Sequence, residues 1–320
     1  MPNTPTLAQI QAARGRIAPH VHTTPTLTSA TLAERSGAAA CFLKCESLQK
    51  TGSFKVRGAL NMISQLDAAA LKRGVVTFSA GNHAQAVAWA ARIVGTHATV
   101  VMPETASETK AAASAWYGAD VVRYKTGADA LNKARELERE HGYVFVHPFD
   151  DLNVITGAAT AGVELLEQTR DADVVVVPIG GGGLISGIAS AVKQMSPRTR
   201  VYGVEPTGAA AMRQSLDQGH AVHLSTPAVT IADGLAAPMA GDVCFPIVRD
   251  LVDDVVLVSE DDIAAAMSFL LGRAKLLAEG GGAAATAALL AGKIPDVRGK
   301  RVVAVVSGGN IDLDKLKSLV

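Results

Sequence analysis

Four consecutive glycines, Gly180 to Gly183, follow the apolar run Val174–Val177 and precede a stretch that begins at Leu184. Backbone without side chains can approach an anion closely, and the positive end of a following helix strengthens the attraction. The run lacks the trailing Lys-Ser/Thr of a nucleotide P-loop and the spacing of a dinucleotide fingerprint, so a phosphate that is held rather than transferred suits it better. A glycine-rich turn without a ligand is the plainer alternative. In Thr51-Gly52-Ser53-Phe54-Lys55-Val56-Arg57-Gly58 a lysine stands beside an aromatic ring at the mouth of a helix. Burial there lowers a lysine's pKa and makes its amine a nucleophile toward aldehydes. Taken alone, Lys55 reads more simply as a surface lysine like Lys50. The loop Ser79-Ala80-Gly81-Asn82-His83 offers N–H groups and short polar side chains to a carboxylate. His83 reads equally as a general base or as a cap on the next helix. Ser307, which follows the run Val302–Val306, can offer a neutral hydrogen bond to a ring nitrogen or simply end a strand.

These segments need a frame that brings them together. Nearly unbroken apolar runs at Val75–Phe78, Ala98–Met102, Val121–Tyr124, Val174–Pro178, Val201–Val204, Val255–Val258 and Val302–Val306 read as strands buried on both faces of a parallel sheet. Between them, Phe54–Leu66, Ala84–Val94, Glu108–Tyr117, Ala128–Glu140, Ile155–Glu167, Leu184–Met195 and Asp261–Leu271 read as helices. Ser259 followed by Asp262 is a capping-box variant at the start of the last of these. The alternation predicts an α/β fold with helices on both sheet faces, in which ligands sit at the carboxyl ends of the strands. The run Lys133–Glu140 reads as a solvated helix face with i,i+4 charge pairs. No repeat or low-complexity linker marks a domain boundary.

The chain has 320 residues, with 30 basic and 30 acidic side chains. A balance of zero gives no electrostatic reason to seek nucleic acid or acidic lipid. No apolar run approaches the roughly 18 residues of a membrane helix, and Met1 to Gln11 lack the pattern of a signal peptide. Three cysteines cannot all pair, which suits a reducing compartment, with the cytoplasm as the default. Cys41 and Cys45 have no second pair to complete a zinc site, and His20, His22, His220 and His223 have no ligand cluster beside them, so no metal is expected.

In this order, six motifs resemble the threonine dehydratase and serine racemase branch of the fold-type-II (tryptophan synthase β) pyridoxal-phosphate enzymes. They are Thr51–Ala59, Ser79–Gln85, His147–Asp151, Gly180–Leu184, Ile231–Leu235 and Ser307–Asn310, and the match runs from about Ile10 to the C-terminus. The resemblance implies two domains, each with a mostly parallel sheet flanked by helices. Residues 1–66 and 150–320 would form the large cofactor-binding domain and 67–149 a small mobile one. It makes Lys55 the Schiff-base lysine with Phe54 beside the cofactor ring, and gives the phosphate to Gly180, Gly181, Gly182, Gly183 and Leu184. Asn82 would meet the ring hydroxyl, Gly234 would lie against the ring face and Ser307 would face the pyridine nitrogen. Ser79, Ala80, Gly81, Asn82 and His83 would bind the substrate carboxylate. Glu279 matches a family glutamate near the site, and Asp150-Asp151 is structural in the family. The implied reaction is the catabolic dehydration of a β-hydroxy amino acid to a 2-oxo acid and ammonia, by a homodimer. A hydroxyl at Ser307, unlike a carboxylate, leaves the ring nitrogen largely unprotonated and favours prompt elimination.

Departures from the family pattern refine that expectation. Racemases of this branch carry a second serine where this chain has Ala80, so two-sided proton transfer lacks a partner. The family's cation site pairs the Glu-Pro glutamate with a later carboxylate, but here Glu205-Pro206 is followed by Ala211, which leaves a divalent ion short of oxygen ligands. Gly157-Ala158-Ala159-Thr160 replaces the usual Gly-Gln-Gly-Thr, from which a roomier pocket tolerant of an aryl substrate such as phenylserine is expected. The end at Val320 leaves no room for an appended regulatory domain. The alternatives are a racemase, a β-replacement synthase, whose loop usually reads Ser-Gly-Asn-Thr-Gly, a non-catalytic cofactor binder and a nucleotide-binding protein.

Overall fold

Runs of valine and isoleucine without polar alternation build the sheets. The structure, a computed structural model, describes residues 4–320, so the first three residues of the Met1–Gln11 segment lie outside it. The strands are β1 (Thr26–Thr28), β2 (Ala40–Cys45), β3 (Val75–Phe78), β4 (Ala98–Met102), β5 (Asp120–Arg123), β6 (Val144–Phe145), β7 (Val174–Pro178), β8 (Arg200–Pro206), β9 (Asp254–Val258) and β10 (Arg301–Val306). They form a six-stranded sheet in the order β1-β2-β10-β7-β8-β9 and a four-stranded sheet in the order β5-β4-β3-β6. Every pairing is parallel except β1 with β2. The α/β class follows, and the smaller sheet draws on residues 75–145 alone.

Strand β7 shows why these runs carry no alternation. Val174 and Val176 pack with Leu43, Met267 and the alanines of helix 280–290, while Val175 and Val177 pack with Ile155, Ile185 and Ile188 on the other face. Successive side chains point to opposite faces, and here both faces are covered. The register pairs Ala304 with Val176 and Val306 with Cys45, so β2, β7 and β10 end on one rim. Helix 55–63, which begins at Lys55, joins the two sheets' layers. Its Val56, Leu60 and Ile63 share a core with Val87 and Val100, and a Cβ on Gly58 would meet Val154 Cγ1 at 2.8 Å.

The sequence-based strands and helices recur within a few residues, with three differences of physical interest. Strand β2 escapes an apolar-run search because Lys44 interrupts it, yet Lys44 is fully buried and held by Glu164 at 2.8 Å. Helix 280–290 has no counterpart among the sequence-based helices, and its Gly280 and Gly282 are required by close approach to Ala232 and to the Gly308 carbonyl. It is apolar all round and so shows no period. On helix 127–141 the charge pairs Lys133–Glu136 and Arg135–Glu138 are spaced three apart rather than four. The Ser259–Asp262 capping box forms with both of its reciprocal hydrogen bonds. No described helix is long and apolar enough to cross a membrane.

Asp151 accepts hydrogen bonds from the N–H groups of Asn153 (2.8 Å) and Val154 (3.0 Å) and so caps helix 152–168. Asp151→Ala should lower stability by about 1 kcal/mol in urea unfolding.

Candidate active site

Elements far apart in sequence converge on one cavity of about 260 Å³ at the carboxyl rim of the large sheet. Phe54, Lys55, the loop Ser79–His83, Gly180–Leu184, Gly234 and Ser307 all line it. Each sequence-predicted site residue is therefore brought to the same place.

The glycine run leaves β7 and becomes the N-terminus of helix 183–195. Gly182 adopts a left-handed φ of 104°, which a side chain would strain. A Cβ on Gly181 would overlap the Phe149 ring, and one on Gly183 would stand 2.8 Å from the Phe149 carbonyl oxygen. Phe149 is itself fixed by its surroundings. His147 Nδ1 accepts from the Phe149 and Asp150 N–H groups, and the Asp150 carboxylate accepts from Asp242, Val243 and Cys244. Asp150 and Asp151 are thus helix caps.

Lys55 opens its helix directly beside Ser307. The Phe54 N–H donates to the Ser307 carbonyl at 3.1 Å, and Ser53 forms a β-bridge with Gly308. Lys55 Nζ donates to the Pro148 carbonyl at 2.7 Å and lies 5.1 Å from the centre of the Phe54 ring. Lys55 keeps partial exposure because it lines the cavity, but protein encloses it on all sides. That enclosure lowers its pKa from 10.5 to about 8, against a smaller opposing pull from the Glu279 carboxylate. The Cys244 thiol, pushed well above its ordinary value by burial, is neutral at such a pH and adds no charge.

Ser307 is buried, and its hydroxyl donates to the Gly281 carbonyl at 3.2 Å. Its single hydrogen either stays there or turns to a ring nitrogen. Asn82 donates from Nδ2 to Glu279 at 2.5 Å and accepts from Asn310 Nδ2 at 2.8 Å. Burial raises the Glu279 carboxyl to about 7, with Asp233 adding to the effect. In the loop Ser79–His83, the Gly81 N–H donates to Ser79 Oγ at 3.2 Å, and Ala80 is exposed.

His83 corrects both of its sequence readings. Its Nε2 meets the Val146 carbonyl at 3.0 Å, and burial with the nearby Lys55 charge lowers its pKa to about 3. The ring is neutral, with Nε2 as the donor to that carbonyl, and Nδ1 has no partner among the described residues. It neither caps helix 82–94 nor has the basicity of a general base at neutral pH. The reason given for a wider pocket fails as well. Ala158 packs among Ile155, Ile185 and Ile188, and Ala159 among Ile10, Val163 and Ala191, so neither reaches the cavity. The Glu205 carboxylate accepts the N–H groups of Met212 (2.9 Å) and Arg213 (2.8 Å), and burial raises its pKa to about 8. It serves as a helix cap. Among the described residues no cluster of three or more His, Cys, Asp or Glu could hold a metal.

Lys110 carries no signal in the sequence, yet it reaches the cavity from helix 108–116 and pairs with Asp233 at 2.9 Å. On that helix it is one lysine among ordinary surface positions.

A family model described as pyridoxal-phosphate-dependent enzyme matches residues 17–308. The chain belongs to this family. It is 46% identical over 312 residues to an L-threonine ammonia-lyase of Geobacter sulfurreducens, covering 97% of this chain and 77% of that protein. It is 41% identical to an L-threo-3-hydroxyaspartate ammonia-lyase of Saccharomyces cerevisiae, covering 99% of this chain and 96% of that one. The structure of maize serine racemase superposes with a TM-score of 0.94 at 39% identity, covering 98% and 96% of the two chains. The fold is that of the fold-type-II pyridoxal-phosphate enzymes.

The residues present fit this cofactor. Gly181 to Gly183 pack so closely against Phe149, Cys244 and Met212 that no side chain fits there, and their bare backbone stands at a helix N-terminus in the cavity that also holds an enclosed amine of lowered pKa. Two predictions follow from that geometry. In cofactor-free protein, acylation of Lys55 by a limiting acyl donor such as an anhydride should rise with pH through a midpoint near 8, because only the deprotonated amine reacts. Gly183→Ala should weaken retention of pyridoxal phosphate about tenfold or more by equilibrium dialysis, since overpacking of roughly 1–3 kcal/mol displaces the cradle or Phe149.

Proposed function

We propose that this enzyme eliminates water from a small β-hydroxy amino acid, L-threonine or L-serine, and releases a 2-oxo acid and ammonia. The observation that carries the reading is the meeting of the Lys55 amine and the Gly180–Gly183 cradle in one cavity. Threonine and hydroxyaspartate ammonia-lyases among the relatives support it.

When bound, pyridoxal phosphate supplies an electron sink for the bond between Cα and its hydrogen. The chain supplies the rest. Gly180 to Leu184 would hold the phosphate, Phe54 and Gly234 would flank the ring, Asn82 would meet the ring hydroxyl and Ser307 would offer its hydroxyl to the ring nitrogen. The loop Ser79–His83 receives the substrate carboxylate. Lys55 would anchor the cofactor through its amine, and the same amine would be the group placed to take the α-proton of the substrate. With a pKa of about 8, about a tenth of the amine is free base at pH 7, far more than of an ordinary lysine. Ala80 has no proton to deliver, which favours elimination over racemisation. The cavity of about 260 Å³ would have to take the cofactor as well as the substrate, which favours a small β-substituent over an aryl group.

L-threo-3-hydroxyaspartate is a second reading, favoured by Lys110 in the cavity wall as a cation for a β-carboxylate. We also assign the chain to a homodimer in the cytoplasm, a reading supported by the resemblance and by three buried, unpaired cysteines. Sedimentation velocity tests the dimer.

The purified protein should show a visible absorption band that Lys55→Ala abolishes, and 2-oxo acid should appear from L-threonine or L-serine much faster than from L-phenylserine. A band with no oxo acid from any β-hydroxy amino acid would refute the elimination reading. Preference for hydroxyaspartate that Lys110→Met abolishes would favour the second reading.

A further inference from the structure

Two residues beyond Lys55, Arg57 is fully buried, and its guanidinium is committed to two carboxylates. Nε and Nη2 donate to Glu46 at 2.8 and 2.9 Å, while Nη1 and Nη2 donate to Glu164, both at 2.8 Å. Nη1 also reaches Thr160 Oγ1 at 3.1 Å, and Nη2 approaches the His22 carbonyl at 3.4 Å. Lys44 completes the cluster against Glu164 at 2.8 Å, and Thr24 Oγ1 donates to Glu46 at 2.5 Å. Two cations thus face two anions, drawn from β2, the turn 46–48, helix 55–63 and helix 152–168. Replacing such a cluster with apolar side chains is often neutral or stabilising, so net stability does not account for it. What a doubly bidentate guanidinium does provide is fixed orientation.

An α-helix turns about 100° per residue, so side chains at positions 55 and 57 leave the axis roughly 200° apart. When Arg57 is clamped on the side of Glu46 and Glu164, Lys55 must project the opposite way, toward the cavity. We propose that Arg57 is a positioning residue whose double clamp sets the rotation of the first turn of helix 55–63 and so holds the Lys55 amine at its working place. The tight contact below supports the same geometry, because a Cβ on Gly157 would overlap the Arg57 carbonyl oxygen. The inference rests on the reading of Lys55 as the reacting amine.

Two variants test it. Arg57→Lys keeps the charge and loses the fork. Arg57→Met with Glu46→Gln removes one charge of each sign and leaves the Lys44–Glu164 pair. The charged and titratable groups around Lys55, namely Cys244, Glu279, His83 and His147, are unchanged in both. The acylation midpoint of Lys55 in cofactor-free protein should rise about one unit or more toward the ordinary lysine value in both. In the holoenzyme kcat on L-threonine or L-serine should fall about tenfold or more while KM stays within about twofold, the signature of a misplaced group. A folded variant that keeps the parental value in either readout overturns the proposal. Failure of both variants to fold also overturns it, in favour of a purely structural cluster. A parental midpoint at the ordinary lysine value would instead sink the assignment of Lys55 itself.

Discussion

The structure depends on keeping one amine largely out of water while leaving it reachable. A protonated ammonium resists enclosure, and at Lys55 that resistance becomes a lowered pKa rather than a destabilised fold. Helix 55–63 lies between the layers of both sheets, so its first residue faces the gap between them. Among the described residues, the Lys55 amine donates its one side-chain hydrogen bond to the Pro148 carbonyl. A neutral acceptor orients the amine without restoring the charge that a carboxylate would favour.

Around that amine the packing leaves little freedom. The glycine cradle, Phe149, His147 and Asp150 form a chain of contacts in which each member fixes the next. Asp150 also ties this chain to the N-terminus of helix 244–251. On the opposite side the Asn310–Asn82–Glu279 hydrogen bonds connect three separate segments at the cavity wall. Buried polar groups so connected hold a single arrangement, because each lost partner leaves another unsatisfied.

Charge is handled differently at the site and beneath it. At the site, burial keeps His83 neutral and raises Glu279 to about 7, while Lys110 and Asp233 pair with each other in the cavity wall. Beneath it, Arg57, Lys44, Glu46 and Glu164 are paired completely. The two solutions answer the same constraint, which is that an isolated charge in a low-dielectric interior is costly.

The sequence by itself determined the fold class and most of the site. Apolar runs such as Val174–Pro178 are legible because a strand covered on both faces has no polar positions to hide, and a glycine run between strand and helix has few other uses. The order of the motifs carried the family. Tertiary structure decided what depends on who stands opposite whom. Lys44 looks polar in the chain, yet Glu164, far away in sequence, makes it a buried strand residue. His83 suggests a base until the Val146 carbonyl and its burial make it neutral. Ala158 suggests a wider pocket until helix 152–168 is seen to turn it into the core. Lys110 carries no local signal and reaches the site only because its helix packs beside the cavity. Residue type and local pattern are written in the chain, but burial, partner and direction arise only when distant segments meet.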